Sequence, residues 1–280
     1  MSLDLLKKID ELEECSVEDV ITFIHKEHRF VLAILNYCQN NKILPKPCNV
    51  ILFDAHHDFT PLANKNDVLQ SIKKEYSDEE MINICNDYLN KLDDDWVTGG
   101  FELGIIGDIL IFGVEKDIDG DFNNCYMDNN GGNHKIYIFS CLPIDELHSR
   151  GVFIDIPKMD ANKDVMDIIE WGLVKGNGFK FTNYSKKLAL IIDLDCFIIN
   201  YKDETFPWPD ELFEKKFLEL KGNLSWSGQK FMEELHKKLG VITIAKEPSY
   251  CGDERNVDVV LNKISKYIFN GKLVIRLEKL

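Results

Sequence analysis

A chain of 280 residues, 45% of them hydrophobic, has enough apolar material to bury one large core. Forty-eight acids against thirty-three bases give a formal charge of −15, which repels a phosphate backbone, argues against nucleic-acid binding and favours a cationic ligand or a divalent metal. No apolar stretch approaches the ~18 residues of a membrane span, and "MSLDLLKKIDELEE" lacks the apolar core of a signal peptide, so the expectation is a cytoplasmic protein with one domain over 1–280.

In chain order, strand-like apolar runs are expected at 20–24 ("VITFI"), 50–53 ("VILF"), 109–114 ("ILIFGV"), 136–139 ("IYIF"), 188–195 ("LALIIDLD"), 241–245 ("VITIA") and 273–277 ("LVIRL"). Helical patterns stand between them. "SDEEMINICNDYLNKL" opens on a serine cap with acids in its first turn, whereas "PWPDELFEKKFLELKG", "SWSGQKFMEELHKKLG" and "DERNVDVVLNKISKYIFNG" each close on a glycine. Continuous apolar strands separated by helices predict an α/β protein with a mostly parallel sheet covered on both faces. The stretch 119–134, "DGDFNNCYMDNNGGNH", reads as an insertion or hairpin tip. The eight cysteines (15, 38, 48, 85, 125, 141, 196 and 251) show no C-x-x-C pairing, and most of them are expected to be buried, reduced thiols.

Two strand ends stand apart chemically. "VILFDAHHD" runs from apolar residues into Asp54, His56 and Asp58, which strict alternation would place on one side of an extended chain. "LALIIDLD" likewise delivers Asp193 and Asp195. If the two ends are neighbours in the sheet, these side chains converge at its rim, where open α/β sheets hold ligands. So many carboxylates cannot crowd together ionised without positive charge, and a set of carboxylates with imidazole suits two divalent cations. Capping of a following helix is the competing reading for some of these acids.

"FDAHHDFTPLAN" resembles the D-A-H-x-D motif of the arginase, agmatinase and formiminoglutamase superfamily, and "DLD" after an apolar strand resembles its second aspartate pair. The resemblance implies a three-layer α/β/α sandwich around a sheet of about eight strands, with two Mn²⁺ ions at the strand ends. It further implies that Asp54 and Asp193 bridge the metals, that Asp58 binds the first, and that His56 and Asp195 bind the second. That family's further histidine opens a helix upstream of the first motif. "GGNH" at 131–134 lies downstream and opens a strand-like run, so His134 is set aside. His28 follows "VITFI" and starts a helix lined by Val31, Leu32 and Leu35, which makes it the candidate, with His25 its rival.

The order E-H before an apolar helix, "DAHHD", "DWVTGG" at 95–100, "DLDCF" and "TIA" at 243–245 resembles a branch of the superfamily that includes peptide arginases. The resemblance implies hydrolysis of a C–N bond, with Asp58 taking a proton from water and Glu247 pairing with a guanidinium; a solvated loop acid is the competing reading of Glu247. The expected partner is an arginine-containing peptide or a small guanidino or amide substrate, and a deacetylase-like amidohydrolase or an inactive scaffold are the alternatives. The chain departs from the family pattern in three ways. Ile198 stands where a third aspartate is usual, no histidine follows Asp58 as a proton shuttle, and no residues for the ends of a free amino acid are identifiable, which favours peptide-linked arginine. Trp171, Trp208 and Trp226 read as packing residues, and His148 and His236 as helix-surface residues.

Overall fold

The computed structural model describes residues 6, 8–92, 94–113, 125–139, 187–201, 204–220 and 227–275. Strands β1 (Glu13–Val17), β2 (Val20–His25), β3 (Cys48–Phe53), β4 (Ile106–Phe112), β5 (Cys125–Met127), β6 (Asn133–Phe139), β7 (Leu188–Asp193), β10 (Leu239–Ala245) and β11 (Leu273–Ile275) form one nine-stranded sheet. Its order is β11-β1-β2-β10-β7-β3-β4-β6-β5. Two further strands, β8 (Ile198–Tyr201) and β9 (Glu204–Pro207), make a separate hairpin.

From β2 to β6 every pairing is parallel; β1, β11 and β5 add antiparallel edges. The mostly parallel sheet of about eight strands is thus the one expected; the apolar runs alone left out edge strands such as β1, because alternating polar residues ("EECSV") give no continuous apolar run. "LVIRL" proves to be such an edge strand, paired antiparallel with β1.

Alternate residues of the central strands enter opposite layers. Val50, Leu52, Ala189 and Ile191 pack with α1 (Val31–Asn40), α3 (Asp78–Asp87) and α4 (Trp96–Glu102), the last two preceded by the short α2 (Lys65–Gln70). Ile51, Phe53, Leu190 and Ile192 pack on the other side with α5 (Asp210–Phe213), α6 (Gly228–His236) and α8 (Glu254–Lys263); α7 is the single turn Pro248–Cys251. All eight of these strand residues are fully buried, each a contribution of roughly 1.5–3 kcal/mol for the larger ones. The sheet covered on both faces that the apolar strands predict, and the three-layer α/β/α arrangement that the resemblance implies, are therefore the observed ones.

Helix α3 begins as its sequence suggested, with Ser77 and Glu80 forming a reciprocal capping box. Glycine closure holds for the C-terminal helix, where Gly271 takes φ +73°, but Gly240 lies inside β10 instead of ending a helix. The stretch at 125–134 is a hairpin, β5 and β6 joined through Asp128–Gly132; residues 119–124 lie outside the described region, as do Trp171, Trp226, His148 and Cys141. The other seven cysteines are free and, Cys125 excepted, buried. No helix among the described residues is long and apolar enough to cross a membrane.

Strand order fixes where a ligand can sit. From β3 the chain proceeds to β4 and β6 on one side, then returns to place β7 and β10 on the other. The direction of travel reverses between β3 and β7, and the C-terminal ends at such a switch point are the usual location of ligands in these sheets. In register, Phe53 lies beside Ile192, Asp193 beside Ala245, and Ala245 beside His25, so four neighbouring strands end on one rim.

Candidate metal centre

Each of those four strand ends contributes. After β2, a 3₁₀ turn over His28–Phe30 leads into α1 and buries His28. After β10, Glu247 is held at φ +36° and ψ 64°, an unfavourable backbone for a non-glycine residue, and its carboxylate accepts the His28 backbone N–H at 3.0 Å. β7 ends on Asp193, and β3 leads directly into Asp54.

The acids converge, though not by strand alternation as the sequence pattern suggested. β3 stops at Phe53, the His56 N–H turns back to Asp54 Oδ1 at 2.6 Å, and Asp58 adopts a left-handed backbone with φ +49°. Asp195 lies in a 3₁₀ turn over Leu194–Phe197, its N–H bonded to Asp193 Oδ1 at 3.0 Å. Aspartate side chains that capture the backbone two residues on compete with the ladder and fold the chain into tight turns. These turns, not an extended chain, aim the carboxylates inward.

His28 Nδ1 lies 2.9 Å from Asp58 Oδ2, 2.9 Å from Asp193 Oδ2 and 3.5 Å from Asp54 Oδ2. His56 Nδ1 lies 2.8 Å from Asp195 Oδ2 and 3.8 Å from Asp54 Oδ1. Donor atoms of His28, Asp54 and Asp58, of His28, Asp193 and Glu247, and of Asp54, His56 and Asp195 each fall within 4.8 Å of one another, the spacing of a cation's ligands. His25, the rival, instead turns its Nδ1 to the Glu27 carbonyl at 3.0 Å and belongs to none of these groups. His134 is a strand residue packed on Phe101, bonded to the Gly107 carbonyl and to Asp128. Trp208 packs on Phe197 and Phe213, and His236 ends its helix against Glu18 and Asp19.

The protonation pattern reports how badly this cluster wants positive charge. Burial, then repulsion from Asp58, Asp195 and Asp193, holds Asp54 well above the usual carboxylate range. Burial and Asp195 raise Asp193 to about 6. Burial would lower His28, but hydrogen bonds and charges from Asp193 and Asp58 overcome it and hold the imidazole well above its ordinary value. The bond to Asp195 outweighs partial burial and lifts His56 to about 9. Asp58 alone moves down: burial is overcome by His28 and by the indole N–H of Trp96, which donates to Asp58 Oδ2 at 2.5 Å.

The upward shifts of His28, His56, Asp54 and Asp193 all favour forms that reduce the cluster's negative charge, the role bound cations would fill. Asp54 Oδ2 is buried and accepts no hydrogen bond, an orphan atom that a metal would satisfy. With oxygen and imidazole donors and no thiolate, the set fits hard or borderline divalent ions such as Mn²⁺.

Two residues beyond the predicted set belong to the site. Trp96 orients Asp58 and lies 4.8 Å, centroid to centroid, from the His28 ring; its signal was "DWVTGG", whose glycines let α4 close on Ile106 and Leu89. Tyr250 lies 5.7 Å from the His56 ring and has no sequence signal beyond following Glu247 by three positions.

No family model matches the chain, and no curated protein does. Among solved structures, it is similar to the arginase of Bacillus cereus, at 12% identity over 88% of this chain and 69% of that one, with a TM-score of 0.40. At that distance the likeness is silent on activity, and the chemistry rests on the residues themselves.

Proposed function

We propose that this chain is a binuclear metal-dependent hydrolase of the arginase type, cleaving a C–N bond, and specifically a peptide arginase that converts arginine side chains to ornithine and urea. One observation carries the reading: His28 Nδ1 meets Asp58 and Asp193 at 2.9 Å each while Asp54 joins that group to His56 and Asp195. His28, Asp54, Asp58 and Asp193 would hold one cation, and Asp54, His56, Asp193 and Asp195 the other, with Mn²⁺ the proposed metal. Bound there, two divalent ions supply Lewis acidity and lower the pKa of water enough to furnish a nucleophile at neutral pH.

The remaining work falls to side chains. Asp58, held below the usual carboxylate range, is ionised at neutral pH, and its Oδ2 is engaged by Trp96 and His28. That carboxylate is the group proposed to receive a proton from the attacking water. As the guanidinium carbon–Nε bond breaks, that proton and the second proton of the water pass to the leaving nitrogen, so the oxygen of water ends on urea and its two protons on the ornithine ammonium.

Glu247 gives the substrate its orientation. Buried at the same rim and adjacent to His28, it offers a carboxylate to the donor fork of a guanidinium. This carboxylate favours a guanidinium over an acyl amide, which has no positive charge to pair. We place the protein in the cytoplasm, where its free cysteines stay reduced.

The test is metal analysis of protein purified without chelator, followed by mass spectrometry of an arginine peptide incubated with the Mn²⁺-loaded protein. Ornithine in place of arginine, with urea released, supports the reading. Release of a carboxylic acid from an acylated peptide would point to a deacetylase-like amidohydrolase, and bound metal without turnover of either to a regulatory scaffold.

A further inference from the structure

We propose that Tyr250 is a specificity-determining residue, the wall of the substrate entry whose ring face receives the planar cation that Glu247 pairs with. The inference rests on the guanidinium reading above and adds the group that selects for it. Of the six candidate ligands only His56 opens to solvent: 58% of its side chain is exposed, against at most 8% for His28, Asp54, Asp58, Asp193 and Asp195. Among the described residues, the way to the buried carboxylates therefore runs past His56. The Tyr250 ring flanks that opening, its centroid 5.7 Å from that of His56 with the planes at 62°.

Placement of the ring follows from the turn that carries it. Tyr250 N–H and Cys251 N–H donate to the Glu247 carbonyl at 2.9 and 3.1 Å, closing a single helical turn on the strained Glu247 backbone. The turn therefore fixes Tyr250 relative to Glu247, its left-handed cap. Glu247 thus presents its carboxylate inward beside His28 while Tyr250 presents its ring outward beside His56. The Tyr250 hydroxyl donates to the Leu92 carbonyl at 3.2 Å, tying this turn to the loop that leads into Trp96. An ordinary hydrogen bond of this kind holds the ring in place yet yields when a ligand enters.

A guanidinium has both features this arrangement reads: a donor fork for the carboxylate and a charged planar face for the aromatic ring. A ureido group of the same shape has the fork without the charge, and a primary ammonium has the charge without the plane. The chain's net charge of −15 favours approach of a cationic ligand in general.

The experiment measures, by titration calorimetry on Mn²⁺-loaded protein, the affinity for three capped peptides with arginine, citrulline or lysine at one position. It compares the wild type with Tyr250→Phe and Tyr250→Ala, each checked for bound metal. Tyr250→Ala is expected to weaken the arginine peptide about tenfold, to leave the citrulline peptide and the metal content unchanged, and thus to narrow the preference. Tyr250→Phe, which keeps the ring and loses only the bond to Leu92, is expected to stay within about threefold of wild type. Equal arginine affinity in the wild type and Tyr250→Ala would overturn the proposal while leaving the proposed activity standing. A wild type that binds none of the peptides would overturn the guanidinium reading itself, and this inference with it.

Discussion

Replacing Asp193 by asparagine should make the metal-free protein more stable and the metal-loaded protein impossible to form. The asparagine side chain keeps an oxygen to accept the Asp195 N–H, so the 3₁₀ turn at 194–197 survives. What disappears is a charge the fold resists. Raising the Asp193 pKa from 3.8 to about 6 amounts to about 3 kcal/mol of preference for the neutral form. Above pH 6 the carboxylate is ionised in both folded and unfolded chains and that penalty is fully present; below 3.8 both forms are protonated and it vanishes. Asp195 and His28 readjust when the charge goes, so a net gain of about 1–2 kcal/mol is expected at pH 7. For a domain of this size that is a rise of roughly 2–6 °C in melting temperature. Adding Mn²⁺ should raise the melting temperature of the wild type by mass action and leave the variant where it was. The assay is thermal unfolding with and without Mn²⁺ at pH 7 and pH 4, alongside metal analysis. Stoichiometric metal in the variant would refute the bridging role, and a lower metal-free melting temperature at pH 7 would refute the electrostatic reasoning.

The affinity for Mn²⁺ should weaken steadily as pH falls from 9 towards 6, because protons held by His56 (to about 9), Asp193 (to about 6) and Asp54 must leave before a cation enters; calorimetry in buffers of different ionisation enthalpy would read the released protons, and a pH-independent affinity would contradict the assignment. Trp96→Phe keeps a ring beside His28 but removes the donor to Asp58. A hydrogen bond to a charged group is worth about 1.5–3 kcal/mol, so turnover should fall roughly 10- to 100-fold with metal retained, and the acidic limb of kcat/KM should move to higher pH as Asp58 becomes easier to protonate. Gly113→Ala forces a side chain onto a φ of +102°, with its Cβ 2.5 Å from Cys196 Sγ and 3.0 Å from the Asp54 carbonyl. It should cost about 1–3 kcal/mol in denaturant unfolding and weaken metal binding by displacing Asp54; unchanged values for both would show that the β3–β4 rim is more compliant than its packing suggests.

The central strands were legible because a strand buried on both faces is apolar nearly throughout, as "VILF", "ILIF", "LALII" and, Thr243 apart, "VITIA" are. Edge strands obey a weaker rule. β1, "EECSV", exposes one face and alternates, so its five residues look like a continuation of the charged N-terminal stretch. The β8–β9 hairpin escapes for the same reason, its residues after Ile198 being mostly exposed. Helix beginnings with a capping residue, Ser77 above all, announce themselves because the cap is a local hydrogen bond. Helix ends marked only by glycine do not, as Gly240 shows by sitting within a strand against Leu44.

The candidate site divides along the same line between local and long-range causes. Asp54, His56 and Asp58, and separately Asp193 and Asp195, could be read from two short motifs, although the motifs act as tight turns and not as the extended ends their spacing suggested. Whether the two groups meet is decided by strand order, which no short motif encodes: β3 and β7 are neighbours only because the chain reverses its direction of travel across the sheet between them. The same order sets β10 between β2 and β7, which brings Glu247, a lone loop acid in the sequence, against the backbone of His28. Trp96 comes from farther still, carried by α4 on the layer above the sheet, and its indole reaches Asp58 because Gly99 and Gly100 let that helix settle onto Leu89 and Ile106. Residues that contribute charge were therefore visible one motif at a time, whereas residues that orient or select among charges depend on which strands and layers are adjacent. Any sequence that keeps the two aspartate motifs but alters the packing under α4 should retain the anionic cluster and lose the ordered base.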